Sequence, residues 1–167
     1  THLCKKILEH IGLNPKRLRT EFMSGADGNL LAEYSDDFSR QIKELGPLGK
    51  SEGLDANLVR VKLAAARKLV PYIRLVERER LRVPVKSKQA YAEFFKSDEI
   101  NALFDELFSE KLAISQILLL LGEKPLSTKD ISARLGLNPS DVSRYMIDSS
   151  RHGMVRYDTA SNCYARI

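Results

Sequence analysis

The chain has 167 residues, of which 43% are hydrophobic and 29% charged, with a formal net charge of +5 at pH 7. This composition excludes disordered and fibrous proteins, and the longest apolar run, residues 117–121, is far shorter than the roughly 20 residues of a membrane-spanning helix. Two cysteines exclude a disulfide-rich secreted domain, so a cytoplasmic location is predicted.

The first segment, residues 1–47, predicts a helix, a strand and a second helix. Apolar residues recur at helical spacing before Gly12, alternate with polar residues over 17–23, and form a stripe over 29–45. Residues 48–53 have the composition of a linker. The segment is too short to bury a core alone, so we interpret it as the final αβα step of an α/β domain. We expect it to pack on the rest of the chain or on a second copy, as in a homo-oligomer.

A helical connector is predicted over residues 48–110. Helical periodicity runs from Asp55 to Arg80, with a break expected near Pro71. Ten Lys and Arg residues crowd the range 60–88, which has only two carboxylates, and an acidic stretch over 93–110 follows. The basic residues are either a docking surface for an acidic partner or a solvated face that pairs with the acidic stretch. The docking interpretation rests on three arginines at helical spacing: Arg74, Arg78 and Arg82.

The C-terminal residues, 111–167, carry the clearest local pattern. A buried helix ends at Gly122, Ser127 opens a short helix with a capping box, and Asn138-Pro139 opens a third helix. Two short strands follow, over residues 154–157 and 163–167. Three helices closed by a β-hairpin are typical of a winged helix–turn–helix domain. The fold class is therefore mainly α (α+β), with an αβα fragment, a helical connector and a winged helix.

A winged helix raises a DNA-binding interpretation. Its candidate contacts are the exposed polar residues of the third helix: Ser140, Ser143, Arg144 and Arg151. Arg144 has the chemistry for a bidentate contact with guanine. However, Asp141 and Asp148 lie on or beside the same surface and would repel phosphates, so a protein-contact role is favoured and DNA binding is kept as the alternative.

No catalytic or metal-binding site is nominated. The three histidines join neither cysteine in a metal-ligand spacing, and Cys4 and Cys163 are both predicted to be small buried hydrophobic residues. The turn at residues 24–28 lacks a complete phosphate-binding glycine pattern and is interpreted as a plain connection.

One stretch carries a family resemblance. Its residues read Ile11-Gly12-Leu13-Asn14-Pro15-Lys16-Arg17-Leu18-Arg19, followed by a small-residue turn and a closing Ile42-Lys43-Glu44-Leu45-Gly46-Pro47. Over residues 1–47 the chain resembles the C-terminal end of the delta subunit of methyl-viologen-reducing hydrogenase. That resemblance implies an iron–sulfur protein that relays electrons between a hydrogenase and heterodisulfide reductase. The cluster cysteines of the family precede the matched segment and Cys4 matches none of them, so the cluster is expected in a missing upstream part.

The resemblance implies that the chain is the C-terminal portion of such an electron-transfer subunit, or of a fusion to a heterodisulfide-reductase-like flavin subunit. This portion would dock protein subunits of the redox complex. A DNA-binding transcription regulator with a winged helix is the alternative. Because the chain begins at Thr1 with residues of helical character, we expect it to be part of a longer protein.

Overall fold

The computed structural model describes residues 1–25, 27–80 and 87–167, which divide into two compact units, 1–59 and 60–167. The described residues are mainly helical and contain one antiparallel two-stranded sheet, so the predicted mainly α class is confirmed. Within these ranges, no helix combines the length and the apolar character that crossing a bilayer requires.

The first unit is built on two helices. Its elements are α1 (His2–His10), a 3-10 turn (Pro15–Arg17), α2 (Gly28–Leu45) and the first residues of α3 (Ala56–Lys68). Four apolar side chains of α1 and the turn after it are buried: Leu3, Ile7, Ile11 and Leu13. In contrast, none of the 18 residues of α2 is buried.

The predicted strand over residues 17–23 is wrong. The side chain of Asn14 accepts a hydrogen bond from the Lys16 amide (2.9 Å), and this cap opens the 3-10 turn. Leu18 is extended (φ −118°, ψ 121°), as the alternating pattern favours, but residues 18–24 belong to no sheet. A strand needs neighbours for its backbone N–H and C=O groups, and the described residues of the first unit contain no other strand. The segment is therefore not an αβα step in this structure.

The linker interpretation of residues 48–53 is also wrong, because these residues form tight turns that pack within the first unit. Gly49 is buried with φ +86°, and a Cβ at this position would lie 2.5 Å from Cγ2 of Val59. Only glycine fits such a position without displacing a neighbour. The first unit continues through these turns to Val59.

The first part of the second unit contains two helices separated at Leu69 and, after them, a long continuous helical stretch. Its first elements are the rest of α3, α4 (Val70–Arg80), α5 (Lys88–Phe94), α6 (Asp98–Phe104), a π-helical turn (Asp105–Ser109) and α7 (Glu110–Leu121). The break expected near Pro71 is confirmed, since α3 ends just before Leu69. The predicted connector ends at residue 110, but α6, the π turn and α7 run on without interruption across that position. Phe104, Phe108 and Leu112 are buried along this continuous helix, so its apolar face extends across the turn.

The C-terminal elements match the predicted order. They are α8 (Thr128–Leu135), α9 (Pro139–Arg151), β1 (Val155–Asp158) and β2 (Cys163–Arg166). Ser127 and Asp130 form the predicted capping box, and the side chain of Asn138 caps α9. In the hairpin Val155 pairs with Arg166, and Leu126 adds a single bridge to Tyr164. This bridge ties the connection between α7 and α8 to the sheet.

Candidate functional site

Arg17 connects the two stretches that carry the family resemblance, residues 11–19 and 42–47. Its guanidinium donates hydrogen bonds to three carbonyl oxygens at the end of α2, those of Leu45 (3.1 Å), Gly46 (2.8 Å) and Pro47 (3.3 Å). It also pairs with the Glu52 carboxylate, with 2.7 Å between Nε and Oε1. A cation at a helix C-terminus satisfies carbonyls that have no partner inside the helix. Arg17 therefore fixes where α2 ends.

Glu52 completes this cluster from the turn beyond α2. Its carboxylate accepts hydrogen bonds from the amides of Asn14 (3.2 Å) and Gly49 (3.1 Å) and from the Ser51 hydroxyl (2.9 Å). The side chains of Arg17 and Glu52 are only 9% and 8% exposed. The Arg17 hydrogen bond, more than any other contact, lowers the pKa of Glu52 to about 2. Sequence reasoning missed Glu52, because one acidic residue in a glycine-rich stretch carries no visible signal.

Arg19 holds the extended residues against the middle of α2. Its guanidinium contacts the carboxylates of Asp37 (2.6 Å) and Glu21 (2.9 Å) and lies 5.2 Å from the ring centre of Tyr34. The hydrogen bond to Asp37 is the main cause that raises the pKa of Arg19. Both arginines of the motif are thus occupied by contacts within the first unit.

Apolar side chains at the start of α2 and just before it face solvent. Phe22 is 92% exposed and Leu31 is 55% exposed, with Met23 and Leu30 also exposed. Apolar side chains that are exposed to this extent are candidates for contact with another protein where they form one patch. This apolar surface of the first unit, defined by Phe22, Met23, Leu30 and Leu31, is one candidate docking surface.

Two of the three predicted docking arginines lie in the described residues. Arg74 and Arg78 are exposed on α4 at a spacing of four residues, which places them on one face of the helix. Arg78 contacts the neighbouring Glu79 at 2.9 Å, whereas Arg74 is in no ion pair of the described chain. Arg82 lies outside the described residues.

The four residues predicted to contact DNA all lie on α9, but both of the arginines among them are in ion pairs with aspartates of the same helix. Arg144 contacts Asp141 and Arg151 contacts Asp148, each at 3.3 Å. The Ser140 hydroxyl donates to its helix cap, and Ser143 is half-buried. Exposed apolar groups lie on and beside this helix, with Ile147 49% and Tyr157 47% exposed. The surface is charge-compensated and partly apolar, unlike the basic surface that phosphates require.

The residues present do not fit an iron–sulfur cluster, which is commonly held by four cysteine thiolates. Cys4 and Cys163 belong to different units, and no group of three or more His, Cys, Asp or Glu in the described ranges has metal-site geometry. The prediction that Cys4 is buried is wrong: it is exposed on α1, and Cys163 is half-buried in β2.

Comparison with known proteins places a similarity in the first unit. Residues 1–46 match the family described as methyl-viologen-reducing hydrogenase, delta subunit, as the resemblance predicted. A stretch of 47 residues is 38% identical to a subunit of the ferredoxin/F(420)H(2)-dependent CoB-CoM heterodisulfide reductase of Methanosarcina acetivorans, covering 28% of this chain and 6% of that one. A stretch of 45 residues is 40% identical to an iron-sulfur subunit of the F420-non-reducing hydrogenase of Archaeoglobus profundus, covering 27% and 33%.

A third relative, from the ferredoxin:CoB-CoM heterodisulfide reductase of Methanosarcina mazei, is 42% identical over 45 residues, which are 27% of this chain and 6% of that protein. The chain therefore spans 6% to 33% of the length of these relatives. No solved structure matches the chain. Arg17 and Arg19 lie inside the matched residues and Glu52 lies beyond them.

Proposed function

We propose that this chain is a docking portion of an iron–sulfur electron-transfer subunit that connects a hydrogenase to a heterodisulfide-reductase-type complex. The match of residues 1–46 to the hydrogenase delta-subunit family supports this assignment, together with the short stretches that are similar to a heterodisulfide reductase subunit and to a hydrogenase iron-sulfur subunit. The cluster itself belongs to a part of the parent protein outside this chain.

The observation that carries the proposal is the exposed apolar surface of the first unit. It lies within residues 1–46, which match the hydrogenase delta-subunit family. Arg17 holds the end of α2 through hydrogen bonds to its carbonyl oxygens and Arg19 pairs with Asp37 in its middle, so both residues fix the helix that carries Leu30 and Leu31. An exposed apolar surface is suited to protein contact.

The second unit contributes the other docking elements. We assign residues 111–167 to a winged helix used for protein contact, because both arginines of α9 are neutralised by neighbouring aspartates while Ile147 remains exposed. On α4, Arg74 and Arg78 would attract the carboxylates of a partner and orient it, with the hydrophobic contacts made elsewhere.

The test is a binding measurement between the parent protein, purified without oxygen, and the hydrogenase and heterodisulfide reductase subunits. Replacement of two exposed apolar residues, Phe22→Asp with Leu31→Asp, is expected to weaken the complex by at least about tenfold, because buried apolar anchors dominate such interfaces. Leu48→Asp is the matched control, since Leu48 is 49% exposed and lies outside this surface.

Unchanged affinity of the double variant, or an equal loss in the Leu48→Asp control, would contradict the docking role of the apolar surface. Tight salt-dependent binding of duplex DNA in place of the subunits would instead favour a regulator.

A further inference from the structure

A groove in the second unit lies where α7, the end of α3 and the hairpin meet. Its volume is about 340 Å³, near the lower end of the range for ligand-binding clefts. Its apolar floor consists of four side chains: Leu69, Ile114, Leu118 and Met154. Three of the four are half-buried and Met154 is 36% exposed, so the floor remains open to an incoming apolar group.

The charged groups that line the groove are all cations. They are Lys68 at the end of α3, Lys111 on α7 and Arg166 at the end of β2, and no carboxylate is among the described lining residues. None of the three is in an ion pair of the described chain. The groove therefore combines an apolar floor with uncompensated positive charge.

Two of these cations lie beside other groups of the second unit. The ammonium group of Lys111 lies 5.1 Å from the ring centre of Tyr72, a cation–π contact that restricts a long flexible side chain. A guanidinium nitrogen of Arg166 lies 3.7 Å from the position that a Cβ at Gly122 would occupy. Gly122 is the C-cap of α7, so Arg166 reaches the negative end of that helix dipole. Their placement at the groove thus follows from contacts of the fold.

The groove is also extended. A second groove of about 260 Å³, lined by Val61, Ala64 and Leu119 among others, shares Arg166 with the first. Its other charged groups, Arg60 and Glu123, contact each other at 2.8 Å. An elongated surface with charge at its edges suits a segment of polypeptide better than it suits a compact small molecule.

We propose that this surface binds a partner segment that is both apolar and acidic, with its apolar side chains on the floor of the groove and its carboxylates on Lys68, Lys111 and Arg166. This inference goes beyond the proposed function, because the groove lies entirely outside the residues matched to the hydrogenase family. It names the chemistry of a ligand that the second unit takes, whichever complex the first unit joins.

The test uses the whole 167-residue chain and a fluorescein-labelled peptide in which glutamates flank a stripe of leucines, with binding followed by fluorescence anisotropy. The triple variant Lys68→Gln, Lys111→Gln, Arg166→Gln is expected to bind the peptide about tenfold more weakly, since three partly exposed ion pairs are each worth a few-fold. A peptide with lysines in place of the glutamates is expected not to bind.

A matched control removes the same charge elsewhere, through Lys43→Gln, Lys50→Gln and Arg134→Gln, three exposed residues that do not line the groove. Circular dichroism checks that all variants are folded. Equal binding by the wild-type chain and the groove variant would overturn the proposal, as would an equal loss in both triple variants. Saturable binding of decanoate without peptide binding would also overturn it and assign the groove to a small anionic amphiphile. Failure here leaves the subunit-binding test of the first unit unaffected.

Discussion

At the scale of single residues, the charged side chains of the family-like segment are structural connectors. Arg17 satisfies the carbonyls at the end of α2 and pairs with Glu52, while Arg19 pairs with Asp37 on the same helix. Such arginines resemble a basic binding motif in the sequence, yet their donors are already used inside the first unit. Because these arginines are already paired, the exposed apolar residues of the segment are the better candidates for contact with a partner.

The stability of the first unit is expected to depend on pH through the ionisation of Glu52. Its folded pKa, about 2, is below its ordinary value of 4.5, so its stabilising effect is present above about pH 4.5 and is lost as the pH falls towards 2. At neutral pH, Glu52→Gln is expected to lower the free energy of unfolding by about 2 kcal/mol, after allowance for solvent screening. The difference between the variant and the wild type should shrink below pH 4.5.

Chemical denaturation at about pH 7 and about pH 3 measures that difference, together with hydrogen exchange of the Asn14 and Gly49 amides, which donate to Glu52. Glu33→Gln, on the exposed side of α2, is the control and should change neither quantity. A Glu52→Gln effect that is equally large at both pH values would contradict the assigned cause.

Ser149 is a second residue whose replacement has a defined outcome. It is fully buried in α9, and its hydroxyl has no hydrogen-bond partner among the described residues. A buried hydroxyl without a partner loses its hydration and gains nothing in return, so Ser149→Ala is expected to stabilise the chain by about 1 kcal/mol. Thermal unfolding measures the change, with the exposed Ser150→Ala as control. A destabilised Ser149→Ala variant would mean that the hydroxyl is satisfied by a bound water.

At the scale of elements, capping residues predicted the starts of α8 and α9, whereas the alternating pattern over residues 17–23 predicted a strand that is absent. Ser127 and Asn138 mark the starts of α8 and α9 because a helix start depends on contacts within a few residues of the chain. The expected strand over 17–23 depended instead on a neighbouring strand, which the described residues of the first unit do not contain. The π-helical turn at 105–109 could not be predicted from the sequence either, since the residues on both sides of it have ordinary helical patterns.

The exposed face of α4 that bears Arg74 and Arg78 is expected to steer a partner electrostatically. Charge reversal through Arg74→Glu and Arg78→Glu is expected to weaken association with the redox partner subunits, mainly through a slower association rate. The effect should fade as salt is raised, because exposed charges are screened within about 10 Å at about 0.1 M salt. Stopped-flow binding at low and high salt measures both.

The control variant reverses the charges of Lys129 and Arg134, two exposed residues on α8. An association rate that is independent of salt, or unchanged by the α4 variant, would count against α4 as a docking element.

At the scale of the whole molecule, the two units differ in what is known of their relatives. The match to the hydrogenase delta-subunit family, residues 1–46, lies in the first unit, and the aligned stretches of the relatives are 45 to 47 residues long. The first unit is therefore the part that points to a kind of complex.

Iron analysis of the longer protein to which our proposal assigns this chain, purified without oxygen, tests the electron-transfer proposal. We expect about two or more irons per chain with matching acid-labile sulfide, as an iron–sulfur cluster requires, and a visible absorption spectrum. The ligands would lie outside residues 1–167, so Cys4→Ser should leave the iron content unchanged. An iron-free, colourless parent protein would contradict the electron-transfer proposal.

Features that depend on neighbouring residues could be predicted from the amino-acid sequence: the helical class, the break near Pro71, the caps of α8 and α9, the hairpin, and the family similarity of the first segment. The folded chain was needed to show that the supposed linker packs against Val59 at Gly49, that Glu52 closes the cluster around Arg17, and that the groove beside Arg166 is lined with cations. These features join residues far apart in the chain. Their contacts form only when the chain is folded, so no local pattern in the sequence records them.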